Sequence, residues 1–222
     1  FRSEGIAQRP GIFVLLLKEV FVPLALNLNA NEPGYRQLSR DFSKSELLRL
    51  EEQRFQDQSI WDFLRRAKQV PVFRQLAILA WGGYGKTTLL KHIAYLDGTK
   101  QVSPNAPKLI PFLLVLRTHK DLWAQDEPPS LSVLIEQHHI PSLAGAENLK
   151  MTAGWATTLL IKGRALVMFD GFDEVAVANR PKVARWLNQQ MRQYRKSMFI
   201  VTSRPKAYRE QSPADALGLT SS

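Results

Sequence analysis

The 222-residue chain contains no cysteine. That excludes disulfide staples, thiolate metal sites and cysteine nucleophiles, and it fits a reducing cytosol, so a cytoplasmic location is expected. No apolar run reaches the roughly 18 uninterrupted residues that suggest a membrane helix. The nearest approach, Ile12 to Leu28, is split by Lys18 and Glu19 and broken by Pro23, so neither a membrane partner nor a signal peptide is expected. Internal repeats and low-complexity tracts are absent, which sets aside solenoids and disordered tails. There is no H-E-x-x-H pair, and the adjacent His138 and His139 face different ways on a helix, so no histidine metal site is expected. An initiating methionine is missing too. The chain opens FRSEG and stops at GLTSS soon after an apolar run, as expected of a piece of a longer protein.

What is present describes a globular domain: 45% of residues are hydrophobic, enough for one packed domain or one domain with a small appendage. The formal net charge is +10, a field that draws in nucleic acid, acidic lipid or acidic protein. Much of the excess comes late. From Arg180 to Arg209 the basic residues Arg180, Lys182, Arg185, Arg192, Arg195, Lys196, Arg204, Lys206 and Arg209 meet no acidic residue along the chain. Arg185 and Arg192, seven apart, share the outer face of a helix, which suits a solvated face, a protein contact or a nucleic-acid contact.

Residues 1–40 read as a lead-in and linker, with the Pro/Asn/Gly stretch Asn27 to Gly34 as its turn-rich part. Residues 41–70 read as a helical segment. Ser43 and Glu46 have capping-box spacing for a helix through about Gln56, and Ser59 with Asp62 opens a second that carries Ile60, Phe63 and Leu64 inward and stops before Pro71. Residues 71–222 read as an α/β core. Leu76 to Ala80, Ile110 to Leu116, Ala165 to Phe169 and Met198 to Val201 are continuous apolar runs, as expected of parallel strands covered on both faces. Helical periods lie between them, with Leu89, Leu90, Ile93 and Ala94 on one side of one helix and Val183, Leu187, Met191 and Tyr194 on another, whose first turn suits Asn179 and Pro181.

The first run leads into AWGGYGKTTLL, Ala80 to Leu90. Strand, glycine turn and helix in that order form the setting of a phosphate loop. Gly82, Gly83 and Gly85 let backbone amides turn inward, the amides and helix dipole favour an anion, and Lys86 adds a positive charge. Thr87 supplies a hydroxyl for Mg²⁺. Ala80 stands where the G-x-x-x-x-G-K-[ST] pattern has its first glycine. The phosphates are wrapped by amides nearer Gly83 to Thr88, so binding is expected to survive that methyl. Trp81 and Tyr84 complete the loop and are expected to pack on neighbouring protein rather than on a base.

A magnesium nucleotide needs a carboxylate on a neighbouring strand, because Mg²⁺ keeps several waters and takes few protein ligands. RALVMFDGFDEV supplies it as Asp170, with Gly171 allowing close backbone approach at the strand tip. Asp173 or Glu174 would orient or deprotonate an attacking water. The fourth run ends Val201-Thr202-Ser203-Arg204-Pro205, placing Arg204 at the carboxyl end of a parallel strand, where it can sense a terminal phosphate. Thr118 to Asp121 (THKD) is out of register for a guanine-reading motif and reads as a loop, and Arg117, which can reach either solvent or the nucleotide crevice, is left without a role.

Together AWGGYGKTTLL, IPFLLVLR, FDGFDE and IVTSRP resemble a NACHT domain, a branch of the STAND class of signalling NTPases, from about Val20 onward. The lead-in LLLKEVFVPL resembles the segment preceding this domain in bacterial members. The resemblance implies a P-loop NTPase fold, a three-layer sandwich around a mostly parallel sheet with a short helical lead-in. It implies Walker A residues Lys86 and Thr87, a Walker B Asp170, an acidic extension at Asp173 and Glu174, and a sensor Arg204 on a strand beside the loop strand. It departs from the family at Ala80 and lacks the helical and winged-helix segments, including a nucleotide-contacting histidine, that normally follow. The activity so implied is binding and slow hydrolysis of ATP or GTP with Mg²⁺ as a regulatory switch. Self-association through the core and missing N-terminal effector and C-terminal sensor domains are implied with it. Two rivals remain: a nucleic-acid-associated P-loop motor or loader using the Arg180 to Arg209 surface, and an assembly scaffold that hydrolyses nothing.

Overall fold

Four apolar runs pair as one sheet in which every strand is parallel to its neighbours. β1 (Gln75–Leu79), β2 (Ile110–Val115), β3 (Ala165–Asp170) and β4 (Met198–Ser203) stand in the spatial order β1-β4-β3-β2. The computed structural model describes residues 60–99 and 107–209. The lead-in, the linker at Asn27 to Gly34 and the helix expected from Ser43 lie outside the described residues.

Parallel neighbours need crossovers, and helices supply them. α1 (Ile60–Arg66) precedes β1, and α2 (Lys86–Gly98) lies between β1 and β2. Between β2 and β3 come α3 (Lys120–Ala124), α4 (Leu131–Val133) running on into a π-helical stretch at Leu134–His139, and α5 (Trp155–Ile161). α6 (Arg180–Gln193) joins β3 to β4, and α7 (Pro205–Arg209) follows β4.

Side chains alternate across the strands and build two cores, one on each face of the sheet. Ala165, Val167 and Phe169 of β3, with Phe199 and Val201 of β4, pack against α5 and α6 through Ala156, Leu160, Val183, Leu187, Met191 and Tyr194. Leu166 and Met168 of β3, with Met198 and Ile200 of β4, pack against α1 and α2 through Ile60, Phe63, Leu64, Leu89, Leu90 and Ile93. The result is an α/β sandwich of three layers, as the resemblance implies, around the parallel sheet that the apolar runs imply. Leu90 is wholly buried, so truncating it to alanine costs about 2–5 kcal/mol.

Coverage on both faces holds for β3 and β4, every residue of which is buried. It does not hold for β1 and β2, which are the outer strands of the described sheet. β2 alternates, with Phe112 and Leu114 buried and Ile110 exposed, because an outer strand lacks a neighbour and part of its cover. THKD also departs from the loop expected there: Leu116–His119 form a 3₁₀ turn leading into α3. Buried Trp123 pins the turn by donating its indole N–H to Leu116 O at 2.8 Å. Since all four strands point the same way, the loops leaving β1, β3 and β4 converge at one edge, where open α/β sheets bind ligands.

Candidate functional site

The loop after β1 is built by its glycines. Gly85 has φ 74° and caps α2 in the left-handed region that side chains avoid, so the chain turns from strand into helix within a few residues. That turn puts the α2 N-terminus, with its unpaired amides and positive dipole end, at the sheet edge. Lys86 folds back across the loop, donating from Nζ to Ala80 O at 2.6 Å and to Trp81 O at 3.0 Å. Ala80 thus works through its backbone: its N–H continues the β1–β4 ladder to Ser203 O at 3.2 Å, while its carbonyl accepts from the lysine. The methyl in place of a glycine hydrogen leaves both bonds intact.

Asp170 ends β3 in a buried position, 5% exposed. Thr87 Oγ1 donates to its Oδ2 at 2.7 Å, and Thr202 Oγ1 donates to its Oδ1 at 2.6 Å. The described hydrogen-bond partners of this buried carboxylate are hydroxyls, so its negative charge has no direct ion-pair partner among the described residues. A divalent cation between Thr87 and Asp170 would neutralise it, so these two residues fit Mg²⁺, which takes few protein oxygens. Asp170 and Thr87 lie 83 residues apart in the chain and meet only because β3 and the α2 N-terminus share one edge.

Gly171, with φ 77°, turns the chain sharply after Asp170, and a Cβ there would stand 3.1 Å from the Glu174 carboxyl group. Phe172–Glu174 form a short 3₁₀ turn that separates the two following acids. Asp173 uses both of its oxygens on Arg204, accepting from Arg204 N at 3.0 Å and pairing with Arg204 Nε at 3.0 Å. Glu174 pairs instead with Arg117, at 3.2 Å and in the open. Arg180 ties this acidic turn to the start of α6 by donating to Val175 O at 3.0 Å and Asp173 O at 2.7 Å. The Arg204 guanidinium lies beside the phosphate loop, 3.4 Å from where a Gly82 Cβ would stand. Its strand is the neighbour of β1, as the resemblance implies, with Leu79 opposite Ser203.

Gly82 to Thr88, Asp170, Gly171, Asp173, Glu174 and Arg204 line a single cavity of about 320 Å³. Of the residues expected at the site, Ala80 and Trp81 do not line it. The expectation that the loop aromatics pack on neighbouring protein fails: Trp81 is 60% and Tyr84 65% exposed, because the loop projects past the sheet edge with glycines beside each ring. The sequence assigns no site role to Thr202, Arg117 or Arg180, although Arg117 is expected to reach either solvent or the crevice. The one local hint was a hydroxyl inside an otherwise apolar run at Thr202.

Several residues of the basic stretch are engaged within the fold. Arg180 and Arg204 are bonded to the acidic turn, and Lys182 Nζ donates to Gln125 O at 2.7 Å. Exposed Arg195 and Lys196 lie just before β4, at the sheet end opposite the cavity. His139 meets Phe112 edge-on, and burial lowers its pKa to about 4. Among the described residues no three His, Cys, Asp or Glu side chains are grouped to hold a metal ion, and no helix is long and apolar enough to cross a membrane.

No curated protein matches the chain. A family model does: residues 74–219 match the NACHT domain, a stretch that begins one residue before β1 and runs past the end of β4. The match takes in the phosphate loop, the acidic turn and Arg204 together, on strands that the structure makes neighbours. Since it spans well over half of the chain, this protein belongs to the NACHT domain family of nucleotide-binding P-loop NTPases.

Proposed function

We propose that the cavity at the carboxyl ends of β1, β3 and β4 binds ATP, or GTP, with Mg²⁺ and hydrolyses it slowly as the switch of a signalling or defence protein. One observation carries this reading: residues from three segments, Lys86 and Thr87, Asp170, and Arg204, converge on one cavity large enough for a triphosphate group. Amides of Gly83 to Thr88 at the α2 N-terminus would cradle the phosphates, and Lys86 Nζ would exchange its carbonyl acceptors for phosphate oxygens. Thr87 and Asp170 would hold the cation, which supplies charge neutralisation across the β- and γ-phosphates.

Glu174 is the better candidate for orienting the attacking water. Asp173 has both oxygens on Arg204, whereas Glu174 lines the same cavity with a half-exposed carboxylate. Arg204, bonded to Asp173 and lying along the loop, would respond to the γ-phosphate and pass its presence to the acidic turn and, through Arg180, to α6. Slow turnover, self-association and partner domains outside this chain belong to the proposal through the family alone. The test is nucleotide affinity of Lys86→Ala and Thr87→Ala: both should bind Mg²⁺-ATP at least about tenfold more weakly, the loss of one charge-assisted contact. Parent-like affinity in both would end this reading.

A further inference from the structure

Asp170 is gripped from two sides, and the grip from β4 has a fixed chemical direction. Thr202 Oγ1 lies 2.9 Å from Gly171 N and 2.6 Å from Asp170 Oδ1. A backbone N–H only donates, so the hydroxyl oxygen accepts from Gly171, and its one proton is committed to Asp170 Oδ1. Thr202 is wholly buried on β4, between β1 and β3, so both bonds are made inside the sheet. Pinning Oδ1 to the neighbouring strand fixes how the carboxylate is turned and presents Oδ2, the oxygen facing Thr87, toward the side where a cation would sit.

We propose that Thr202 is a specificity-determining positioning residue: it makes Asp170 a one-oxygen carboxylate and so selects Mg²⁺ over Ca²⁺ as the cation that enters with the nucleotide. This rests on the Mg²⁺-nucleotide reading above. The two cations differ in what they ask of a carboxylate. Mg²⁺ is small, keeps much of its water shell and takes single oxygens in octahedral geometry, whereas Ca²⁺ gathers six to eight oxygens at longer range, often with both oxygens of one carboxylate. An aspartate that cannot swing its second oxygen forward meets the first demand and fails the second. Serine at position 202 would preserve the grip. Valine, matched in shape, can neither accept from Gly171 nor donate to Asp170, and the carboxylate is then free to turn.

The experiment measures binding of a fluorescent ATP analogue to the whole chain in EDTA and in titrations of MgCl₂ and CaCl₂. The quantity read is each cation's half-saturation and its gain in affinity over EDTA for the same variant. In the parent, Mg²⁺ gives the larger gain. Thr202→Val raises the Mg²⁺ half-saturation about 10–100-fold, as for loss of an outer-shell partner, and narrows the gap between Mg²⁺ and Ca²⁺. Thr202→Ser restores both. Thr202→Ala cannot overpack β4 and gives the same result as valine should that variant not fold. A valine or alanine variant with the parent's half-saturation and Mg²⁺/Ca²⁺ ratio overturns the inference and leaves the Mg²⁺-nucleotide reading standing. A parent with no Mg²⁺-dependent gain overturns both.

Discussion

Asp173 and Glu174 are adjacent in the chain and opposite in their surroundings, so removing one should unsettle the fold and removing the other should stop the chemistry. The Asp173 side chain is 11% exposed and makes two 3.0 Å contacts to Arg204. Asp173→Ala takes away the acceptor of a backbone N–H and the partner of a guanidinium. A hydrogen bond to a charged group is worth about 1.5–3 kcal/mol. Arg204 is 58% exposed, so water recovers part of the loss and the lower bound is the better estimate, about 1.5 kcal/mol. In a domain of this size 1 kcal/mol corresponds to about 2–4 °C, which makes the expected fall in Tm about 3–6 °C. Glu174→Gln breaks only the pair with Arg117, whose side chains are 42% and 65% exposed, an interaction worth about 0–1 kcal/mol. Its Tm should stay close to the parent's. For phosphate release the order reverses: Glu174→Gln should lower the rate by about 10²–10⁴, the usual contribution of a positioned general base, and Asp173→Ala by less. Thermal melts and a phosphate-release assay on the same preparations decide it. A Glu174→Gln variant with parental turnover, beside an Asp173→Ala variant that is inactive but melts like the parent, would refute the assignment.

Gly171→Ala should melt lower by the cost of a left-handed side-chain-bearing residue, about 1–2 kcal/mol, and should release phosphate more slowly because its methyl presses on the Glu174 carboxyl group; a parental rate would show that the turn yields freely. Arg180→Ala unties Asp173 O and Val175 O, so amide exchange across residues 171–177 should quicken well before the rest of the sheet, and unchanged exchange would discount the tether. Asp97 is buried near the end of α2, which raises its pKa from 3.8 to about 7. Between about pH 4 and 7 the folded chain therefore keeps a proton that the unfolded chain has released, and this group's contribution to stability falls as pH rises, levelling off above 7. The Tm gained by Asp97→Asn should accordingly grow from pH 4 to 7 and then hold constant, and a pH-independent gain would contradict the shift. His139 works the other way: burial lowers it from 6.5 to about 4, so its contribution is lost as pH falls through that interval, and His139→Gln should flatten the acid side of the melting profile.

Much of the core was legible because its rules are local. Continuous apolar runs at Ala165 to Phe169 and Met198 to Val201 announce strands buried on both faces, and Val183, Leu187, Met191 and Tyr194 announce the inner face of α6. The same rule overreached at β1 and β2, since a run of apolar residues does not say whether its strand will have neighbours on both sides. It also missed α3, where the deciding contact is the reach of Trp123 back to Leu116.

By itself the sequence determined which groups were available and how each is presented: glycines before Lys86 and Thr87 at a helix start, Asp170 and Gly171 at the end of one apolar run, Arg204 at the end of another. Turn chemistry and side-chain period act over a few residues, so they can be read along the chain. Only the tertiary structure decided which of these groups touch. The order β1-β4-β3-β2 sets Thr202 against Asp170, gives Arg204 to Asp173 and leaves Glu174 to Arg117. Such pairings join residues about 30 or more apart in the chain across adjacent strands, and which strands become adjacent depends on how the crossover helices pack, a property of the whole core rather than of any stretch within it.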